Sequence, residues 1–294
     1  MSVGSAAQNI MYGLFVGGIY GIAAVGLGLA FGVMSVLNIA HGELLMFGGY
    51  ISFWLFSLLG IDPFVSLVVC IPALFAIGWL LDRLVYRHVA HLAGEAKIKN
   101  SLLVSFGMVL ILQNLAVRLF TADERTIQVS YAGQGINLFG VALPYTRLLS
   151  LVIALITIVA LHFFLQRTYP GKAIRATAED WEAAELSGIN VPRVYLLTFA
   201  LGASLAGIAG TLVSVTASIT PSIGLDWTLK ALIVVVLAGT GSIIGAFPAG
   251  LLLGLVEALS GIFIDASYRE LVGLVIFLLV LLVRPQGLFG PQEA

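Results

Sequence analysis

The chain has 294 residues, of which 60% are hydrophobic and 10% charged, and its formal net charge is −1. Soluble globular proteins carry about 25% charged residues, so this composition excludes an ordinary water-exposed surface. The near-neutral charge offers no basic surface to a nucleic acid, and a single cysteine excludes an internal disulfide.

Apolar segments follow one another along the whole chain, and several reach the roughly 20 residues that a helix needs to cross a bilayer. The segment at about 229–262 is too long for one span and contains Gly239-Thr240-Gly241-Ser242, which predicts a break between two helices. We therefore predict an all-α polytopic membrane protein, a single domain over 1–294 with about eight to nine transmembrane helices, some of them broken. The segments lie at about 9–34, 36–58, 64–86, 101–120, 147–166, 194–220, 229–262 and 268–284.

Lysine and arginine are unevenly distributed among the loops, and this bias predicts orientation. Basic residues collect in 82–100 and 167–193, and Arg284 begins the C-terminal tail. We place these three parts in the cytoplasm. The N-terminus then lies outside, if the first two segments both span the membrane fully.

The loop 121–146 is predicted to lie on the periplasmic side. Thr126–Val129 and Ile136–Phe139, around Gly133 and Gly135, indicate a small hairpin or ordered loop. It serves either as a connector or as a docking surface.

Asn38, His41 and Glu43 form a polar cluster where the first two apolar segments meet. Polar groups at membrane depth must face protein, water or a polar cavity. The cluster is either a broken helix that lines a substrate path or a helix start near the membrane surface, capped by Ser35 or Asn38. No spacing typical of a zinc site joins His41 and Glu43 to another histidine, so no metal site is predicted.

Glu257 is an acidic residue within an apolar segment. Such residues suggest a proton relay or a polar lining. Because no charged partner lies near it in the sequence, we expect it close to the outer interface, near Asp265.

The longest polar run is Arg167–Arg193. Thr177 as N-cap, with Asp180 three residues later, predicts a short helix at about 178–187 outside the bilayer. Gly188 suits its C-terminal cap, and Pro192 prevents its continuation.

One face of this predicted helix carries Trp181, Ala184 and Gly188 at helical spacing. An aromatic residue beside small residues suits docking into a groove of a partner. The alternative is an interfacial helix that lies on the membrane with Trp181 as its anchor.

Motifs of a catalytic or nucleotide-binding site are absent from the sequence. There is neither the Gly-x-x-x-x-Gly-Lys-Ser/Thr loop that cradles phosphates nor a Gly-x-Ser-x-Gly nucleophile elbow. We expect no enzymatic activity and no directly bound cofactor.

Four ordered motifs resemble the branched-chain amino acid permease family of ABC importers, the LivH-type branch. Glu182-Ala183-Ala184-x-x-x-Gly188 resembles the EAA loop of such permeases, and Leu37–Glu43 matches the N-terminal signature of the family. Gly239–Ala246 and Val283–Gly290 match its C-terminal signatures.

The resemblance implies a multi-pass permease subunit in a bacterial inner membrane, surrounded by lipid. Its implied partners are a second, homologous permease, two ATP-binding subunits that hold ATP and magnesium, and a periplasmic solute-binding protein, with no nucleic acid. The coupling helix that docks into the ATP-binding subunit comprises, by this resemblance, Glu179, Asp180, Trp181, Glu182, Ala183, Ala184 and Gly188. Candidate residues of the substrate path are Asn38, His41, Glu43, Thr240 and Ser242.

The substrate implied is a branched-chain or other hydrophobic amino acid. Members of the family that transport urea, short amides or aromatic acids are the alternative. A secondary transporter driven by an ion gradient is a second alternative, which would need intramembrane ionisable residues arranged as a relay.

Overall fold

The computed structural model describes residues 3–90, 94–138, 141–239, 241–243, 245–263, 268–284 and 286–290. Within these ranges the chain is almost entirely helical, which confirms the all-α class. The elements are α1 (Val3–Met34), α2 (His41–Leu59), α3 (Pro63–Ala90), α4 (Gly94–Phe120), β1 (Gly135–Leu138), β2 (Val141–Pro144), α5 (Tyr145–Arg167), α6 (Tyr169–Glu179), α7 (Trp181–Leu186), α8 (Val191–Thr216), α9 (Ile223–Ala238), α10 (Ala246–Phe263) and α11 (Arg269–Val283).

Among the described residues, 6 helices are long and apolar enough to cross a membrane, namely α1 to α5 and α8. A helix satisfies its own backbone hydrogen bonds, which is why such apolar segments fold as helices in lipid. The helices α9, α10 and α11 are shorter and also apolar. The predicted break between α9 and α10 is confirmed, since helix is interrupted between Ala238 and Ala246.

The helices α1 and α8 form the centre of the bundle. In their most apolar windows 78% and 83% of the residues are buried, against 22% in both α4 and α5, which therefore lie at the periphery. Small residues allow α1 to approach α10 closely: a Cβ on Gly17 would lie 2.8 Å from the carbonyl oxygen of Gly250. Close backbone packing of this kind holds helices together in lipid, where water exclusion contributes little.

The two ends of the bundle differ. At one end, the hairpin end, β1 pairs antiparallel with β2, and Gln8 of α1 bonds to Ala142 through its side-chain amide. At the other, the α6–α7 end, the polar run forms two short helices. Because α1, α3 and α5 each run from the first end to the second, the two ends lie on opposite sides of the membrane.

The hairpin confirms an ordered loop, but the prediction of its first strand was wrong. Thr126–Val129 forms no strand, since Ile127 and Val129 are buried against the bundle instead of pairing. Tyr131 fixes this loop by donating a hydrogen bond of 2.5 Å to the Asp62 carboxylate. Burial, together with that carboxylate, raises the pKa of the Tyr131 hydroxyl.

Two predicted boundaries were also wrong. Helix α2 begins at His41 and not at about residue 36, because Ser35 has a positive φ of 52° and the chain turns there. Helix α9 begins at Ile223, within a stretch that the sequence indicated as a loop. Both errors concern helices that begin inside the bundle, and neither helix start has a side-chain cap.

Candidate functional site

Two helices begin inside the bundle and meet at their first turns. The backbone N–H of Gly42, in α2, donates to Thr228 Oγ1 of α9 at 2.8 Å. Thr228 in turn donates to the Ile39 carbonyl at 2.8 Å. The approach is so close that a Cβ on Gly42 would clash with the carbonyl oxygen of Gly224. In transporters, interrupted helices that meet at membrane depth are a typical setting for a substrate site.

The predicted path residues Asn38 and His41 lie together in this crossing, each 2% exposed. Asn38 Oδ1 accepts a hydrogen bond from the Tyr86 hydroxyl at 2.7 Å, and His41 Nε2 lies 3.0 Å from the Ala23 carbonyl. The helix start is thus held by contacts to α1 and α3. The predicted cap by Ser35 or Asn38 is wrong: Ala40 occupies the N-cap and makes no side-chain cap.

Glu43 lies in the same crossing and is 1% exposed. Neither of its carboxylate oxygens has a hydrogen-bond partner among the described residues. The carboxyl group is next to Gly224, where a Cβ would overlap it. It therefore sits at the first turn of α9, where the helix dipole favours a negative charge. Burial of a carboxyl group without a hydrogen-bond partner is costly, so this side chain is a strong candidate for a functional role.

Of the other two predicted path residues, Thr240 lies outside the described residues. Ser242 lies between α9 and α10, where it lines a small space beside Gly28 and Phe31 of α1. The structure therefore does not bring Ser242 to the crossing of α2 and α9.

The break between α9 and α10 is closed by the C-terminal tail, so the two C-terminal motifs contact each other. The backbone N–H groups of Leu288 and Phe289 donate to the carbonyls of Leu237 and Ala238 at 2.8 and 2.9 Å. These are two of the carbonyls that the end of a helix leaves without partners. Gly239, with a φ of 101°, allows the tail to approach without a side chain in the way.

The predicted helix at 178–187 is two helices in the structure, which corrects the assignment of its cap. Thr168 caps α6 by accepting from the Gly171 N–H, so that Thr177 lies buried within α6. Asp180 has an extended backbone and accepts from the N–H groups of Glu182 and Ala183 at 2.9 and 3.0 Å. Asp180, and not Thr177, is therefore the N-cap of α7.

The C-terminal end of α7 was predicted correctly. Gly188 has a φ of 85°, and the N–H groups of Gly188 and Ile189 donate to the carbonyls of Glu185 and Ala184. This is the Schellman arrangement, in which glycine takes the left-handed conformation at low cost. Asn190 then caps α8, with Pro192 in its first turn.

Trp181 and Ala184, which were predicted to share the docking face of α7, do not face the same way in the structure. Ala184 is 4% exposed and packs against the chain itself, whereas Trp181 is 48% exposed. Trp181 also lines a cavity of about 780 Å³ between α7 and the ends of α1, α4 and α8. Leu186 projects furthest, with 91% of its surface exposed. The sequence did contain a signal for Leu186, which is an apolar residue within the polar run. The sequence analysis did not single it out.

The second group that sequence reasoning missed is a buried ion pair. Lys230 of α9 donates to Glu257 Oε1 of α10 at 2.6 Å, and the Tyr20 hydroxyl of α1 donates to Glu257 Oε2 at 2.9 Å. Glu257 is 7% exposed and has the charged partner that its sequence neighbourhood did not indicate. Asp265, the expected neighbour, lies outside the described residues.

These features define a class of protein: a multi-pass helical membrane protein with interrupted helices in its interior and a polar helix pair outside it. The model of the family "Branched-chain amino acid transport system / permease component" matches residues 9–283. The chain belongs to this family, and the resemblance read from its motifs is confirmed.

Relatives of full length agree with this assignment. The chain is 34% identical to the high-affinity branched-chain amino acid transport permease LivH of Salmonella typhimurium, over 97% of this chain and 96% of that protein. It is 33% identical to BraD of Pseudomonas aeruginosa, with the same coverage. The ribose import permease RbsC of Escherichia coli is 27% identical over 89% of this chain and 81% of that protein. No solved structure matches the chain.

Proposed function

We propose that this chain is the permease subunit of an ATP-driven importer for branched-chain or other hydrophobic amino acids. Such a subunit forms the substrate path and hydrolyses nothing itself, while its ATP-binding partners hold ATP and magnesium. The names of LivH and BraD support the substrate class. The observation that best supports the coupling role is the exposure of Leu186. This apolar residue lies at the tip of the polar α6–α7 pair, and 91% of its surface is exposed.

The coupling surface consists of α7 and its cap, with Leu186 inserted into a groove of an ATP-binding subunit. Asp180 starts the helix and Gly188 ends it, so both fix the direction in which the tip points. Ala184 anchors the helix to the permease body. Glu179, Glu182 and Ala183 flank the tip with charge and a small surface. The remainder of the assembly is a second, homologous permease and a solute-binding protein.

The proposed orientation follows from this role. The α6–α7 end and the C-terminus face the cytoplasm of a bacterial cell, and the loop 121–146 faces the periplasm. The solute-binding protein then meets the hairpin end.

The substrate path passes the crossing of α2 and α9. Asn38 and His41 hold the helix start in place, and Glu43 supplies a buried carboxyl group without a hydrogen-bond partner among the described residues. Ser242 belongs to the segment between α9 and α10 that the tail closes. Thr240, its neighbour in the sequence, stays a candidate path residue.

A Leu186→Glu variant tests the coupling role. A charge at the tip opposes burial in an apolar groove, so we expect the ATP-binding subunits to be lost on co-purification and uptake of leucine to fall by about tenfold or more. Gly188 is a poorer position for this test, because any side chain there is strained at its positive φ.

The matched control is Ala132→Glu, which adds the same charge at an exposed position of the loop at the opposite end. It should keep the ATP-binding subunits. Retention of these subunits and of uptake by Leu186→Glu would refute the coupling role. Uptake that an uncoupler abolishes while ATP is held constant would establish ion coupling instead.

A further inference from the structure

A cavity of about 510 Å³ lies near the hairpin end, between α1, α5, α10 and α11. This volume falls within the roughly 300–1,000 Å³ of small-molecule pockets. Four charged side chains line it, two basic and two acidic, and none of them was among the predicted path residues. They are Arg147, Arg269, Glu257 and Glu270.

The acidic side of the cavity has a buried part and an exposed part. The Glu257 side chain is 10% exposed and is held by Lys230 and Tyr20. Glu270 is 80% exposed at the mouth, and its Oε1 lies 3.5 Å from the same Lys230 Nζ. One lysine thus faces two carboxylates, so a positively charged group can approach this side without displacing the ion pair.

The basic side of the cavity is positioned by aromatic contact and by the start of a helix. The Arg147 guanidinium lies 4.1 Å from the centre of the Tyr12 ring, a cation–π contact that holds it towards the lining. Arg269 belongs to the first turn of α11. Val16 and Ala258 add apolar surface between the two sides.

We propose that this cavity is a binding site for the zwitterionic head of an α-amino acid. Arg147 and Arg269 receive the carboxylate, Glu270 receives the ammonium group beside the pair of Glu257 and Lys230, and the side chain lies against Val16 and Ala258. The cavity thus presents basic groups on one side and an exposed carboxylate on the other, which matches a ligand that carries one charge of each sign. A simple anion or cation would leave one side of the cavity without a counter-charge.

This inference rests on the proposed function, since it names the part of an amino acid that the importer would recognise. It adds a site at the hairpin end, apart from the crossing of α2 and α9. Amino acids of different side chains share this head, so the site would act on the whole class and leave selection among them to other parts of the transporter.

The test measures binding of radiolabelled L-leucine to the full-length chain in lipid nanodiscs. Competitors are isocaproate, which is leucine without the amino group, and isoamylamine, which is leucine without the carboxylate. Loss of one charge-assisted contact predicts binding about tenfold weaker or more for each analogue. The proposal would be overturned if leucine showed no saturable binding, or if either analogue competed as well as unlabelled leucine.

Two variants assign the sides of the cavity. Arg147→Gln removes a partner of the carboxylate, so it should reduce the preference for leucine over isoamylamine by about tenfold. Glu270→Gln removes a partner of the ammonium group, so it should reduce the preference for leucine over isocaproate by about tenfold. Both side chains are partly exposed, so the fold should tolerate these changes. Glu95→Gln is the control, an acid exposed at the opposite end. Unchanged preferences in both variants, or an equal loss in the control, would contradict the assignment.

Uptake measurements separate this proposal from the importer role. If the complete transporter carries leucine with an unchanged KM in Arg147→Gln and Glu270→Gln, the cavity proposal fails and the importer stands. If the unmodified transporter shows no ATP-dependent uptake while the nanodisc assay still discriminates the zwitterion, the importer role fails and the cavity stands.

Discussion

Glu257 and Glu43 are both carboxylates in the interior of the bundle, yet their surroundings are opposite. Glu257 accepts from Lys230 and from Tyr20, so that its charge is compensated by residues of two other helices. Glu43 has no hydrogen-bond partner among the described residues, and its carboxyl group lies beside Gly224.

The difference separates two uses of an acid at membrane depth. The pair of Lys230 and Glu257 connects α9 with α10, and removal of either charge leaves the other buried without its main counter-charge. Glu43 bonds to no other helix among the described residues, so its place in the interior calls for a function and not for stability. The same substitution at the two positions should therefore have unequal consequences.

The largest effect is expected for Glu257→Gln. It leaves the Lys230 ammonium buried with only the exposed Glu270 nearby, and we expect a loss of about 3 kcal/mol in the free energy of unfolding. SDS titration followed by tryptophan fluorescence measures this loss. The double variant Lys230→Met with Glu257→Gln should recover most of it, and a double variant as unstable as the single one would show that the ion pair is not the cause.

A smaller effect is expected for Gly42→Ala at the crossing. The added Cβ meets the carbonyl oxygen of Gly224, which is backbone and cannot rotate away. Overpacking of this kind costs about 2 kcal/mol. Gly107→Ala is the matched control, because a Cβ there meets nothing within 4 Å, and its thermal midpoint should stay level or rise. Equal losses in both variants would argue against the crossing as a tight contact.

The smallest effect on stability is expected for Glu43→Gln. No counter-charge is lost, so the free energy of unfolding should change by less than about 1 kcal/mol in the same titration. Uptake of leucine should nevertheless fall, since the carboxyl group in the path is gone. A destabilisation as large as that of Glu257→Gln would show that Glu43 has a structural partner and would remove the contrast.

Part of this arrangement follows from the sequence. The apolar segments predicted the helices, and Gly239 together with Gly241 predicted the break, because these signals are local. The polar run predicted an exposed segment and its end at Gly188. The division of this run into α6 and α7 was not predicted. Thr168 and Pro170 begin α6, and they were not considered as a helix start.

The remainder depends on contacts between distant parts of the chain. Lys230 and Glu257 are 27 residues apart and lie on different helices, so neither predicts the other. The start of α2 at His41 is fixed by Tyr86 and Ala23 and by no capping residue of its own. Interior contacts of this kind decide where an interrupted helix begins.

The closure of the α9–α10 break has a consequence for biosynthesis. The carbonyls of Leu237 and Ala238 are paired by Leu288 and Phe289, about fifty residues later in the order of synthesis. While the ribosome makes α10 and α11, those carbonyls have no partner from the tail, and a buried polar group without a partner costs about 1–3 kcal/mol. Docking of the tail is thus a late step in maturation, and a chain released before Leu288 would carry an open break into the membrane.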